Sequence, residues 1–325
     1  CMRTSRRIVL KSLGAAALGA VFAPRAVLAA GAPLKVVATT GMIADTAQAI
    51  GGDLVEVKAL MGPGVDPHAY RQTRTDILAM SRADLILWNG LYLEAQMEEV
   101  LGDLSARVPV RAVAEIIPAG ARIAHDDYAD RFDPHVWMDP DLWREVVSAI
   151  REAMSEVAPE HAAAFAANAE AYANDIDELA DYARHILATV PETSRVLVTA
   201  HDAFNYFGRA YGFEVIGIQG ISTESEAGLN RITELVNLLV GRGITAVFVE
   251  SSVSDRSIRA LIEGAAAQGH DVRVGGELFS DAMGHPGTYE GTYIGMIDHN
   301  ATVIASALGG SAPDRGMSGK LSVGS

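Results

Sequence analysis

The feature that most constrains the fold is an alternation, repeated along the chain, of short apolar segments rich in β-branched residues with longer segments of helical periodicity. The first kind predicts strands and the second predicts amphipathic helices. Strands and helices that alternate in this way form βαβ units, which build parallel sheets covered by helices. The sequence therefore predicts an α/β fold with parallel sheets. The predicted strands are 34–40, 54–61, 84–90, 195–200, 213–218, 245–251 and 271–276.

One long segment separates this alternation into two blocks. Residues 159–190 are rich in alanine and contain no glycine and no proline after the first position, which predicts a single helix of about 45 Å. Because 325 residues are many for one core, we expect two (βα) lobes, at 31–158 and 191–309, joined by one long rigid helix. Residues 310–325 are poor in apolar side chains and predict a flexible tail.

The first thirty residues have the composition of an export signal. Two adjacent arginines in SRRIVLK (5–11) precede an apolar run, and small residues follow in AVLAA (26–30). This pattern predicts a signal peptide of the twin-arginine type at 1–30, cleaved near Ala29–Ala30, and hence a periplasmic protein. A buried N-terminal helix is the alternative interpretation of the same residues. No later run is apolar enough to span a bilayer.

Charge and cysteine content limit the possible partners. Five of the 26 basic residues and none of the 41 acidic residues lie within 1–30, so the rest of the chain has a formal net charge of −20. Such a chain repels phosphate backbones and attracts cations, which argues against a nucleic-acid partner. The single cysteine is Cys1, so disulfides and cysteine-type zinc sites are excluded from the remainder. A metal site would have to use histidine and carboxylate.

Three histidines and one aspartate stand out by their positions. His68 follows the predicted strand 54–61, and His201 directly follows 195–200. Asp281 lies beyond the last predicted strand, and His135 repeats the Asp-Pro-His tripeptide that contains His68. The carboxyl ends of parallel strands are where ligands bind in α/β proteins. Three imidazoles and a carboxylate are a ligand set that suits Zn²⁺ or Mn²⁺.

The repeated Asp-Pro-His tripeptide predicts a stiffened loop. Proline fixes its own φ and restricts the residue before it, so the histidine that follows is held in place before a metal arrives. We predict in addition that Asp66 and Asp133 accept a hydrogen bond from the non-ligating ring nitrogen of the histidine. The alternative is that Asp-Pro is turn chemistry alone. Glu250 also has two interpretations, a hydrogen bond to a ligand imidazole or a cap of the next helix.

The remaining histidines have less distinctive positions. His125 and His285 are predicted in loops where they could touch a ligand. His161, His185 and His299 fall on predicted helices, and their simplest interpretation is a place on a helix face.

Four motifs in order resemble one known family. GPGVDPHAY (62–70), DPHVWMDP (133–140), VTAHDAFNYF (198–207) and ELFSDAMG (277–284) together resemble the TroA/ZnuA-like solute-binding proteins of zinc and manganese ABC importers. The resemblance covers residues 34–309. It implies two lobes joined by a long helix, a metal site in the interlobe cleft and delivery of the metal to a membrane permease, with no enzymatic activity and a monomeric protein. By motif matching, the metal ligands are His68, His135, His201 and Asp281.

The resemblance leaves two metals open. Many manganese-type relatives have glutamate at the third ligand position. This chain has His201 there, which slightly favours zinc and leaves manganese as the close second candidate. Many zinc-type relatives have a long histidine-rich loop before the second ligand, whereas IAHDDYADRFD (123–133) is short. Because ligating imidazoles must be neutral, metal capture is predicted to weaken below about pH 6.5.

A different function class is the alternative. A secreted zinc-dependent hydrolase would use the three histidines as ligands and Asp281 as a base. The sequence contains no H-E-x-x-H stretch that would support it.

Overall fold

A computed structural model describes residues 32–125 and 130–322 of the chain. The predicted export signal at 1–30 and its cleavage site at Ala29–Ala30 lie outside these residues. Within the described ranges, every helix is too short or too polar to pass through a lipid bilayer.

The first lobe is built on one parallel sheet of four strands. Its strand order is β2-β1-β3-β4, so that β1 is paired on both sides. Three of these strands lie within the predicted segments. The last was not predicted because three residues are too few for a recognisable alternation. The strands are β1 (Leu34–Ala38), β2 (Val55–Ala59), β3 (Leu85–Trp88) and β4 (Val110–Ala112).

The second lobe contains two parallel strand pairs, and the predicted strands account for all four members. β5 pairs with β6, β7 pairs with β8, and β5 lies beside β7. The predicted α/β class with parallel sheets is therefore confirmed in both lobes. The strands are β5 (Val196–Thr199), β6 (Glu214–Gly217), β7 (Ala246–Glu250) and β8 (Arg273–Leu278).

Nine α-helices cover the sheets in the described part of the chain. Several begin at side chains that satisfy the free N–H groups of a first turn. Asp139 accepts from the main-chain N–H of Asp141, and Pro140 is the first residue of the helix that follows. The helices are α1 (Gly41–Gly51), α2 (Arg74–Ser81), α3 (Glu98–Leu104), α4 (Pro140–Val157), α5 (Ala162–Leu187), α6 (Asn205–Tyr211), α7 (Leu229–Arg242), α8 (Arg256–Ala267) and α9 (Tyr293–Ala307).

The predicted long helix corresponds to α5. It has 26 residues, or about 39 Å at the usual rise, and is shorter than the predicted segment at both ends. A 3-10 turn at Pro159–His161 precedes it, because proline cannot continue the preceding helix. Helix α5 packs against α1 and α4 of the first lobe and against α9 of the second.

One hydrophobic core runs through both lobes. It joins residues of α1 and α4 to residues of α5, β5 and α9, and Trp143 stacks on Tyr293 with ring centroids 5.2 Å apart. Each lobe also contains a smaller hydrophobic cluster of its own. The lobes are therefore connected by continuous apolar packing as well as by the chain. Members of the shared core include Met42, Trp143, Phe165, Ile176, Leu197, Phe204, Tyr293 and Ile304.

The predicted flexible tail at 310–325 differs from the structure over its described part. Residues up to 322 have no helix or strand, yet they pack against the second lobe. The Met317 N–H donates to both carboxylate oxygens of Asp298, and the side chain of Leu321 is buried. A segment with few apolar residues is held here by main-chain hydrogen bonds, which the composition does not reveal.

Candidate metal centre

The two Asp-Pro-His tripeptides have the same local geometry. Asp66 Oδ1 accepts from the main-chain N–H of His68 at 2.9 Å, and Asp133 Oδ1 accepts from that of His135 at 2.9 Å. Each aspartate thus closes a small turn that fixes the main chain of its histidine. The predicted stiffening of the loop has this physical basis in both copies.

The other two members of the centre come from the second lobe. His201 lies two residues beyond β5, and Asp281 lies three residues beyond β8. Both side chains therefore follow the carboxyl ends of strands in the second lobe, which is where ligands bind in parallel α/β proteins. The Thr199 hydroxyl donates to the main-chain oxygen of His201 at 2.8 Å and so stabilises the turn that carries His201.

The four predicted side chains meet at one point between the lobes. One potential ligand atom from each of His68, His135, His201 and Asp281 lies within 4.8 Å of the others, and all four side chains are buried. His135 Nε2 is 3.2 Å from His68 Nε2 and 3.3 Å from Asp281 Oδ1. His201 Nε2 is 3.2 Å from Asp281 Oδ2. The chain therefore gathers three imidazole nitrogens and a carboxylate in one buried space.

Two of the histidine rings are fixed by carboxylates on their far side. Asp133 Oδ1 lies 2.7 Å from His135 Nδ1, and Glu250 Oε2 lies 2.5 Å from His201 Nδ1. These contacts confirm the prediction for Asp133 and the hydrogen-bonding interpretation of Glu250. Each leaves Nε2 as the nitrogen that faces the centre, which is the usual arrangement around a ligating histidine.

The prediction for Asp66 is wrong in this respect. Its second oxygen, Oδ2, accepts from the Thr223 hydroxyl at 2.6 Å. In the described part of the chain, no carboxylate hydrogen-bonds the ring of His68. The two tripeptides therefore share their main-chain turn and differ in how they hold the imidazole.

The protonation of the centre follows from these contacts. Burial lowers the pKa of His68 to about 3, so this imidazole is neutral near pH 7. Burial alone would also lower the pKa of His135, but the carboxylates of Asp133 and Asp281 raise it to about 9. Burial opposes the charged form of His201 as well, yet Glu250 and Asp281 raise its pKa well above the usual range.

The carboxylate of Asp281 remains ionised. Burial would raise its pKa, but the charged imidazoles of His201 and His135 hold it well below the usual range. Without a metal, the centre thus contains two protonated histidines, one neutral histidine and one carboxylate. The two protons occupy the nitrogens that a metal would need.

Unpaired atoms indicate what the centre lacks. Among the described residues, none makes a hydrogen bond of good geometry to either buried oxygen of Asp281 or to the buried Nε2 of His201. Buried polar atoms are nearly always satisfied in folded proteins, so such a group calls for a missing partner. A divalent cation of the Zn²⁺ or Mn²⁺ kind accepts electron pairs from this combination of nitrogen and oxygen atoms.

The other histidines do not belong to this cluster. Neither His125 nor His285 is among the residues whose ligand atoms converge in the described ranges. His299 lies on α9 as predicted, on a buried face of that helix, and its Nε2 donates to the main-chain oxygen of Glu277 at 2.9 Å. Its role is to join α9 to β8.

Three supporting residues were not identified from the sequence. The Trp137 ring contacts His135, and its Nε1–H donates at 2.8 Å to the main-chain oxygen of Ser280, next to Asp281. Asn205 Nδ2 donates to Asp133 Oδ2 at 3.1 Å. Thr223 binds Asp66 as described. The position of Trp137 two residues after His135 was a usable signal, whereas Asn205 and Thr223 act across distances that the sequence does not reveal.

Replacing Glu250 with glutamine tests the support of His201. The Glu250→Gln substitution keeps the shape of the side chain but removes the buried negative charge that faces Nδ1, so we expect metal affinity to fall about 10- to 100-fold. Competition with a chelator of known affinity measures this change. Glu263→Gln on the exposed face of α8 is the matched control. Equal affinities for the two variants would contradict the role of Glu250.

Comparison with known proteins identifies relatives over most of the chain. A family model described as "Zinc-uptake complex component A periplasmic" matches residues 36–307. The manganese-binding lipoprotein MntA of Bacillus subtilis (strain 168) is 50% identical over 275 residues, which are 85% of this chain and 90% of that protein. The zinc-binding protein TroA of Treponema pallidum (strain Nichols) is 47% identical over 287 residues, 88% of this chain and 92% of that protein.

A solved structure shows the same fold. The periplasmic zinc-binding protein TroA from Treponema pallidum superposes with a TM-score of 0.83 at 47% identity, covering 85% of this chain and 99% of that one. The likeness therefore extends over both lobes and the long helix.

Proposed function

The chain belongs to the zinc-uptake complex component A family, and from that premise we propose that it captures a divalent transition metal in the periplasm and delivers it to the permease of an ABC importer. The family consists of solute-binding proteins. The observation that carries the proposal is the buried convergence of three imidazoles and a carboxylate with unpaired ligand atoms. In this proposal the metal is cargo that is bound and then released.

We propose that the metal ligands are His68, His135, His201 and Asp281. Each imidazole would bind through Nε2, and Asp281 would supply one or both of its oxygens. Zn²⁺ is favoured because three nitrogens and one oxygen suit its usual four-coordinate site. Mn²⁺ remains the second candidate, since a bidentate Asp281 would supply a fifth ligand atom. The relatives named above support both, as one is named for manganese and one for zinc.

The proposal includes the cellular setting. Export by the signal at 1–30, with cleavage near Ala29–Ala30, would place the protein with the periplasmic and lipoprotein relatives. The same proposal has three further parts. The protein would act as a monomer, its lobes would span 31–158 and 191–309, and it would have no nucleic-acid partner. The strong negative charge supports the last point.

The zinc-hydrolase alternative is not supported. The family is one of metal-binding transport components, and the Asp281 carboxylate lies between His135 and His201 at the same centre. This position suits a metal ligand.

A metal competition experiment tests the proposed function. The purified protein is stripped with a chelator, zinc is competed against manganese, and bound metal is quantified. We expect one equivalent, with zinc bound more tightly. His68→Ala should lose that equivalent, whereas His185→Ala on the exposed face of α5 should retain it. Failure of the unaltered protein to bind either metal would contradict the proposed function.

A further inference from the structure

The two Asp-Pro-His aspartates each connect the lobes. One oxygen of each carboxylate accepts from its own histidine, and the other accepts from a side chain of the second lobe. Asp66 Oδ2 is bound by the Thr223 hydroxyl at 2.6 Å, and Asp133 Oδ2 by Asn205 Nδ2 at 3.1 Å. The first-lobe ligands are therefore tied to the second lobe through the residues that shape their own loops.

His68 depends on this tie more than the other two histidines do. The rings of His135 and His201 are fixed directly by Asp133 and Glu250. Asp66 instead holds the main chain of His68, so the position of this imidazole follows the position of its loop. Anything that anchors Asp66 consequently sets where the His68 ring lies relative to the centre.

Thr223 is placed to provide that anchor. It belongs to the connection between β6 and α7, which reaches across to the first lobe at two successive residues. Besides the Thr223 contact, Glu224 Oε1 accepts from Gln96 Nε2 at 2.6 Å. That second contact is exposed and contributes little in water. Both bonds end on a carboxylate, but the Thr223 bond is partly buried, so it is the stronger of the two.

We propose that Thr223 is a positioning residue that holds the His68 loop across the interlobe cleft and thereby slows release of the bound metal. The inference rests on the proposed function, since it concerns the same site. Release would begin with His68, because no carboxylate of residues 32–125 or 130–322 fixes its imidazole ring. Loss of the Thr223 hydroxyl frees Asp66 and its loop, while the His135, His201 and Asp281 contacts are retained.

The test compares zinc dissociation from the purified protein and three variants. Thr223→Val removes the hydroxyl at nearly constant shape, Thr223→Ser retains it, and Gln96→Ala removes the exposed neighbouring contact. Stopped-flow mixing of zinc-loaded protein with excess chelator gives the dissociation rate. A hydrogen bond to a charged group is strong enough that we expect about tenfold faster dissociation for Thr223→Val. Association rate and stoichiometry should be unchanged, and Thr223→Ser and Gln96→Ala should match the unaltered protein within about twofold.

Each possible outcome decides the inference. Faster release from Thr223→Val with rescue by Thr223→Ser supports it. Unchanged release from Thr223→Val, or equally fast release from Thr223→Ser, overturns it while the proposed function stands. If Thr223→Val does not fold, Thr223→Ala removes the same hydroxyl and is judged by the same rates. Absence of zinc binding by the unaltered protein would overturn the proposed function together with this inference.

Discussion

Asp281→Ala is expected to abolish tight metal binding. Apparent zinc-binding free energies of four-ligand protein sites are about 10–16 kcal/mol, so one ligand carries about 3 kcal/mol and its loss weakens binding at least about a hundredfold. Asp281 is the only anion among the four proposed ligands, and both of its oxygens are buried without a hydrogen bond. Chelator competition at pH 7.5 measures the change in the dissociation constant.

Two further variants separate the role of the charge from that of the ligand atom. Asp281→Asn retains one oxygen and removes the negative charge, so it should bind metal more weakly than the unaltered protein and more tightly than Asp281→Ala. Asp271 is exposed and lies two residues before β8, so Asp271→Ala is the matched control and should bind metal with unchanged affinity. Metal binding by Asp281→Ala at unchanged affinity would remove this residue from the proposed ligand set.

Metal affinity is expected to rise steeply with pH up to about pH 9. The raised pKa values of His135 and His201 mean that both imidazoles are protonated in the metal-free protein at pH 7. A metal must displace these protons, and each displaced proton makes the apparent affinity rise about tenfold per pH unit. His68 adds nothing to this dependence, because its pKa of about 3 keeps it neutral. The pH range over which metal affinity rises therefore extends well above about pH 6.5, the limit expected from histidines with an ordinary pKa.

Calorimetry in buffers of different ionisation enthalpy measures the proton release directly. Near pH 7 we expect close to two protons per metal ion, one from each raised imidazole. The metal-free protein should show the opposite trend in stability. A histidine with a raised pKa stabilises the fold fully below its unfolded value, near 6.5, and this contribution is lost as the pH rises through about 9. Proton release near zero at pH 7 would contradict the assigned protonation.

Such an exchange has a simple electrostatic meaning. A divalent ion that replaces two protons leaves the net charge of the buried centre unchanged. The carboxylates of Asp133, Glu250 and Asp281 then face the same positive charge in both states, from protons before binding and from the metal afterwards. The buried centre therefore gains no net charge when the metal binds, and a net gain of buried charge would oppose binding.

The sequence predicts much of this centre because its chemistry is local to strand ends and to one repeated tripeptide. His201 and Asp281 follow predicted strands, and ligands bind at the carboxyl ends of such strands. The turn around His68 and His135 follows from aspartate and proline next to one another. The complete ligand set, however, came from the match of four motifs to a known family.

Other features depend on distance in space and were not predictable. The contact of Thr223 with Asp66 spans 157 positions, and that of Asn205 with Asp133 spans 72. No periodicity records such a pair, so the difference between the two tripeptides was not visible in the sequence. The same applies to His299 and to the packing of residues 310–322, where burial is decided by main-chain oxygens and N–H groups of other elements.

The apolar core that runs through both lobes limits how far the shape of the protein can change when a metal binds. Residues of α1, α4, α5 and α9 share one packed interior, and swinging the lobes widely apart would expose that interior to water. A membrane permease consequently cannot use a large change of shape to distinguish the metal-loaded protein from the metal-free protein. We therefore expect a membrane permease to distinguish the two states by small differences at the rim of the cleft.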